Sequence, residues 1–143
     1  MIKFLKQILS FWIARDKDSV FSTQQNGINL NQQIQIMKLF SVRYLMKLNK
    51  FNNDPEIPRE VVHYFHFKRN INVEKFKEQI RKEIDYIIIE NFVIQGMPEL
   101  IGFKIGSMET LDKQNVEKFT KILCKIAVNH NGEYRCWETF PVV

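Results

Sequence analysis

Past Pro58 the sequence alternates between strand-like and helix-like segments, and their order restricts the fold more than any other feature. The segment Val61–Phe67 is β-branched and aromatic, which is typical of a strand, and strand character returns at residues 86–95, 100–108 and 134–140. Apolar residues spaced by three and four predict one helix before the second strand and another before the last. The order strand, helix, strand, strand, helix, strand predicts an α+β domain. This order is that of the ferredoxin-like βαββαβ fold, which has a four-stranded antiparallel sheet and both helices on one face.

Residues that favour helix ends mark the limits of these two helices. Asn70 or Asn72 can cap the helix that follows the opening strand, and Asp112 can cap the helix that precedes the final strand. The pair Asn131-Gly132 is typical of a left-handed helix end. The last strand therefore begins directly after it.

A segment with two prolines separates this domain from the residues before it. Phe51–Pro58 is rich in Asn, Asp and Pro, which predicts a linker. We therefore divide the chain into an N-terminal helical extension with its linker at 1–57 and a ferredoxin-like domain at 58–143. Asn29 or Asn31 can cap a helix that runs to about Lys50, and residues 1–14 predict a short amphipathic helix. The sheet face away from the domain's own helices is then covered by the N-terminal helices or by a partner protein.

The net charge of +5 is concentrated in the N-terminal part of the chain. Residues 1–58 contain eight Lys or Arg and four Asp or Glu, whereas residues 59–143 contain thirteen and twelve. A nucleic-acid-binding domain usually has a basic face of its own, and the near balance after residue 58 argues against direct binding to nucleic acid. The strand at 100–108 also lacks the aromatic signature of RNA-recognition domains.

Cysteine content and hydropathy predict a cytoplasmic protein. Cys124 and Cys136 form no C-x-x-C pair, and two cysteines without a signal peptide fit a reducing compartment, although a disulfide between them stays an alternative. The apolar run at 8–14 is far shorter than the roughly 20 residues of a membrane span. We expect the apolar stripe of residues 1–14 to pack on the domain or on a partner, with a membrane surface as the alternative.

No pattern of residues predicts catalysis, a metal site or a cofactor. The chain has no G-x-S-x-G, P-loop or H-E-x-x-H motif, and we therefore predict that it is not an enzyme. Two of its three histidines, His63 and His66, lie in the opening strand. Their odd spacing puts them on opposite faces, where they cannot share a metal ion.

Two segments resemble the ribonuclease E inhibitor family, called regulator of ribonuclease activity B. One is the linker end and opening strand, Pro-Arg-Glu-Val-Val-His-Tyr-Phe-His-Phe at 58–67. The other is the final strand, Gly-Glu-Tyr-Arg-Cys-Trp-Glu-Thr at 132–139, where Arg135 and Cys136 replace an acidic residue and a glycine of the family pattern. This chain is also basic, whereas members that bind ribonuclease E tend to be strongly acidic. The resemblance implies a non-enzymatic regulator that docks on an RNA-processing enzyme and inhibits it.

The resemblance also suggests which residues bind the partner protein. Trp, Tyr and Arg are the residue types that most often anchor interfaces. The predicted protein-binding residues are the sheet aromatics with their polar neighbours: Arg59, His63, Tyr64, Tyr134, Trp137 and Glu138. For Trp137 the alternative is a core position in which the indole N–H meets a backbone carbonyl.

Two other functions fit the same features. A bacterial immunity protein that neutralises a cognate toxin, such as a nuclease, is also small, cytoplasmic and free of cofactors. A membrane-peripheral adaptor would use residues 1–14. If the chain is a regulator its partner is a ribonuclease, and if it is an immunity protein its partner is a toxin.

Overall fold

The computed structural model describes residues 29–50 and 54–139. The helices and strands in chain order are α1 (Leu30–Asn49), β1 (Arg59–Lys68), α2 (Val73–Glu83), β2 (Tyr86–Val93), β3 (Leu100–Glu109), α3 (Lys113–Asn129) and β4 (Glu133–Glu138). The sheet has the strand order β2-β3-β1-β4, and every neighbouring pair is antiparallel. The predicted ferredoxin-like α+β fold with a preceding helix is therefore confirmed. The helix predicted at 1–14 lies outside the described residues, and the domain boundary at residue 57 stays a prediction.

The predicted capping residues begin each helix. Asn29 caps α1 in a capping box with Gln32, Asn72 caps α2 and Asp112 caps α3. In each case the side-chain oxygen accepts a hydrogen bond from a backbone N–H of the first turn, a group that the helix itself cannot satisfy.

The end of α3 divides the predicted left-handed cap between two residues. Asn131 takes the left-handed conformation, with φ of 57°. Gly132 is required for a different reason, because a Cβ there would lie 2.0 Å from Cδ1 of Phe67 and 2.7 Å from the His66 carbonyl oxygen. The glycine thus lets the chain pass close to β1 before β4 begins.

A β-bulge distorts the pairing between β1 and β4. Tyr64 pairs with Cys136 and Phe65 pairs with Tyr134, so Arg135 is the extra residue on β4. As a result Tyr134 and Trp137 both share a face with the odd-numbered residues of β1, although they are three positions apart.

The core lies between one face of the sheet and the helices. Residues Val61, His63, Phe65 and Phe67 of β1 are fully buried on this helical face. Phe76 of α2 contacts the ring of Phe65 at 5.6 Å and that of Phe67 at 4.7 Å, both edge to face. Such aromatic pairs add to the stabilisation from buried area alone.

Helix α1 is joined to β4 by side-chain hydrogen bonds. Gln33 donates to the Gly132 carbonyl at 2.6 Å and accepts from the Tyr134 N–H at 3.1 Å. At the other end of the strand, the Tyr44 hydroxyl donates to the Thr139 carbonyl and accepts from the Thr139 N–H. These two side chains serve backbone groups of β4 as a neighbouring strand would, and so protect an edge of the sheet.

Candidate protein-binding site on the sheet

The structure separates the six predicted binding residues into three groups. His63, Tyr134 and Trp137 lie on the helical face and are completely buried. Tyr64 and Glu138 lie on the opposite side, the second face, and are half-buried. Arg59 is buried at the start of β1. The six residues therefore do not form one surface, and Tyr64 and Trp137 in particular point to opposite faces.

His63 is the centre of a buried hydrogen-bonded chain. Its Nδ1 lies 2.7 Å from the Tyr134 hydroxyl, and its Nε2 lies 2.8 Å from Oγ of Ser107. Ser107 in turn donates to the Glu109 carboxylate at 3.3 Å. This last bond fixes the proton positions: His63 donates from Nε2 to Ser107 and accepts the Tyr134 proton at Nδ1.

The same histidine is held neutral by its surroundings. Burial lowers the pKa of His63 from 6.5 to about 3, because the imidazolium would lose its hydration. Ser107 as a whole is 1% exposed and His63 is fully buried, so a substrate cannot reach the Ser–His pair in this conformation. These hydrogen bonds from Tyr134 through His63 to Ser107 therefore form a structural network that satisfies buried polar groups.

Trp137 anchors α1 to the sheet. Its indole N–H donates to Oγ of Ser41 at 3.0 Å, so the sequence alternative of a core position is correct, with a hydroxyl as acceptor in place of a backbone carbonyl. The ring contacts Tyr44 at 4.6 Å and Phe119 at 5.5 Å. These contacts join α1, α3 and β4 into one core.

Arg59 holds the linker against the sheet. Its Nε donates to the Ile57 carbonyl at 3.2 Å, and an Nη2 donates to the Asp54 carbonyl. Asp54 and Ile57 belong to the proline-containing segment before β1. Arg59 thus fixes the direction in which the chain enters the domain.

The second face has an aromatic and acidic centre. The Tyr64 hydroxyl donates to the Glu138 carboxylate on the neighbouring strand. Burial, and next this bond, raise the pKa of the Tyr64 phenol, so it stays a donor at physiological pH. The Phe92 ring packs edge to face on Tyr64 at 6.1 Å and on His66 at 6.2 Å.

A glycine makes room for this aromatic group. A Cβ at Gly102 would lie 2.3 to 2.6 Å from three atoms of the Phe92 ring, which rests directly on the β3 backbone. Around this centre lie charged or flexible side chains, which are exposed at Glu60, Lys68, Glu90 and Met108 and half-buried at Lys104. Lys104 and Glu90 form an ion pair at 3.8 Å.

Sequence reasoning missed a buried ion pair on β4. Arg135 and Glu133 meet at 2.9 Å, and their side chains are 1% and 2% exposed. Residues two apart on a strand point to the same side, so the alternation along β4 is the signal that could have found this pair. Arg135, one of the two departures from the family pattern, is therefore a structural residue next to Tyr64.

The described residues hold neither a metal cluster nor a disulfide. Within 29–50 and 54–139, no three His, Cys, Asp or Glu side chains are grouped so as to bind a metal ion. Cys124 and Cys136 are both buried, and neither is part of a disulfide. No helix in the described part of the chain combines the length and apolar character that crossing a bilayer requires.

The fold and the site define an α+β domain whose conspicuous polar groups are structural or face outward from a sheet. A family model described as regulator of ribonuclease activity B matches residues 41–139, about two thirds of the chain. The chain belongs to this family, as the two sequence segments predicted. The match begins inside α1 and ends with the residue that Tyr44 contacts. A search of curated proteins finds no match.

Proposed function

We propose that this chain is a non-enzymatic regulator that binds a ribonuclease of the ribonuclease E type and inhibits it. The observation that carries the proposal is the family match over residues 41–139, which includes the whole sheet and α2 and α3. Two buried cysteines that form no disulfide support action in the cytoplasm, where thiols stay reduced.

The second face supports docking at Tyr64 and Glu138. These are the two predicted binding residues that are not deeply buried, and they lie side by side across β1 and β4. Tyr64 offers an aromatic ring with a fixed orientation, which loses little conformational entropy on binding. The other four predicted residues would support this surface from within, because they set the register of β1 and the position of α1.

Binding of ribonuclease E from the same organism to the immobilised chain tests this proposal. Tyr64→Ala and Glu138→Ala should each weaken binding at least about tenfold, the loss typical of a hot-spot residue. Val93→Ser is the matched control, because Val93 is 76% exposed at the outer strand β2 and lies away from both residues. Equal binding by all three variants would place the contact elsewhere, and no binding by the unaltered chain would reject the proposal.

A further inference from the structure

Helix α1 has a second apolar stripe on the side that faces away from the core. Leu39, Val42 and Met46 are 55%, 52% and 64% exposed, although the helix buries Met37, Phe40, Tyr44 and Leu48 on its other side. Exposed apolar residues are ordinary when scattered singly, whereas three at helical spacing form a continuous row. This row spans two helical turns, about 10 Å along the axis.

The spacing of this row is that of a heptad repeat. The steps from Gln35 to Leu39, Val42, Met46 and Asn49 are four, three, four and three residues. Leu39 and Met46 therefore occupy a positions, and Gln35, Val42 and Asn49 occupy d positions. We call these five residues the outer seam.

Positive charges flank the outer seam on both sides. In this register Lys38 falls at a g position, and Arg43 and Lys50 fall at e positions, all three exposed. The e and g side chains of a heptad helix face the partner helix and select it by charge. Residues 30–49 contain no Asp or Glu, so no acidic side chain of α1 offsets these cations.

From this arrangement we infer that the outer seam docks an amphipathic helix of a partner protein, one that carries Glu or Asp at its own e and g positions. Three apolar layers are too few for a free-standing coiled coil. Here the layers lie on a helix that the core already holds in place through Trp137 and Gln33. The outer seam is therefore a preformed surface on which a helical ligand can pack. The inference does not depend on which enzyme the chain regulates.

Charge argues against a second copy of this chain as the occupant. In a parallel pair Lys38 of one chain would face Arg43 of the other, and in the antiparallel register that pairs Val42 with Met46, Arg43 would face its own equivalent. Like charges at these positions are destabilising in both of these registers. A lipid surface is also disfavoured, because the exposed apolar row ends in Gln35 and Asn49 and its apolar neighbours Ile36 and Leu45 are half-buried, whereas membrane-binding helices have a broad exposed apolar face.

Two designed peptides test the inference with the full-length chain. Both are fluorescein-labelled three-heptad helices with Leu and Ile at a and d, one with Glu and the other with Lys at e and g. Fluorescence anisotropy should show that the chain binds the Glu peptide about tenfold more tightly than the Lys peptide at low ionic strength, with the difference shrinking as salt is added.

Three variants separate the seam from net charge. Lys38→Glu with Arg43→Glu should invert the preference, so that the Lys peptide binds more tightly. Lys121→Glu with Lys125→Glu changes the net charge equally on the exposed side of α3 and should leave the preference unchanged. Leu39→Ser with Met46→Ser should lose binding to the Glu peptide by at least about tenfold while the melting temperature stays within a few degrees, since both side chains are already exposed.

Each contrary result has a definite meaning. Equal effects of the two charge-swapped variants would overturn the inference, because net charge alone would then account for binding. A dimer in sedimentation that is lost in the Leu39→Ser, Met46→Ser variant would overturn it in favour of self-association. Pelleting with phosphatidylserine vesicles that this variant abolishes, together with no binding of either peptide, would overturn it in favour of a lipid surface. None of these results depends on ribonuclease binding, so the proposed function can fail separately.

Discussion

Gln33 is the residue whose replacement most directly tests how α1 belongs to the domain. Its side chain is 1% exposed and serves two backbone groups, the Gly132 carbonyl and the Tyr134 N–H. Gln33→Leu keeps a side chain of similar size but removes the amide, so both backbone groups lose their hydrogen-bond partner. Each buried backbone group left unsatisfied costs about 1–3 kcal/mol, so the loss of two should lower the free energy of unfolding by about 2–6 kcal/mol. That is a large part of the stability of an ordinary domain, about 5–15 kcal/mol.

Urea unfolding followed by circular dichroism measures this loss. Gln35→Leu is the matched control, because it makes the same substitution on the exposed side of the same helix. The control should change the free energy of unfolding by less than about 0.5 kcal/mol. If the two variants lose the same amount, the hydrogen bonds to β4 do not stabilise the fold and the argument is refuted.

Three further predictions concern the core and the second face. Stability should fall as pH drops below 6.5, since the unfolded chain binds a proton at His63 that the folded chain, with a pKa of about 3, does not accept. The loss should reach about 2 kcal/mol at pH 5 in urea unfolding, and the His63 ring should stay neutral there by NMR; a protonated His63 at pH 5 would contradict the assignment. Gly102→Ala should cost about 1–3 kcal/mol because the new methyl group collides with the Phe92 ring, and Phe92→Ala in the same chain should recover part of that loss. In a double-mutant cycle, Trp137→Phe and Ser41→Ala should be non-additive by about 0.5–1.5 kcal/mol, whereas additive losses would show that their hydrogen bond contributes nothing.

The local features of the fold could be predicted from the sequence. Strand and helix periodicity gave the element order, and the capping residues Asn72 and Asp112 marked helix starts that the structure confirms. Such signals are local, because a cap or an alternation depends on residues within one turn or one strand. The opposite faces of His63 and His66 followed from the same alternation.

The arrangement of the site could not be predicted, because it depends on contacts between distant residues. A regular strand would put Tyr134 and Trp137 on opposite faces, but the bulge at Arg135 turns both toward the helices. The burial of Trp137 further depends on α1, whose Ser41 lies 96 positions earlier in the chain. No local pattern encodes either fact, so grouping the six residues on one surface was beyond what the sequence supports.

The rate of RNA cleavage by ribonuclease E from the same organism is the most direct test of the regulatory role. Adding the purified chain in slight molar excess should lower the initial rate, and Tyr64→Ala should restore it toward the uninhibited value while Val93→Ser inhibits like the unaltered chain. A cleavage rate that the unaltered chain leaves unchanged, at concentrations where it is folded, would contradict the account.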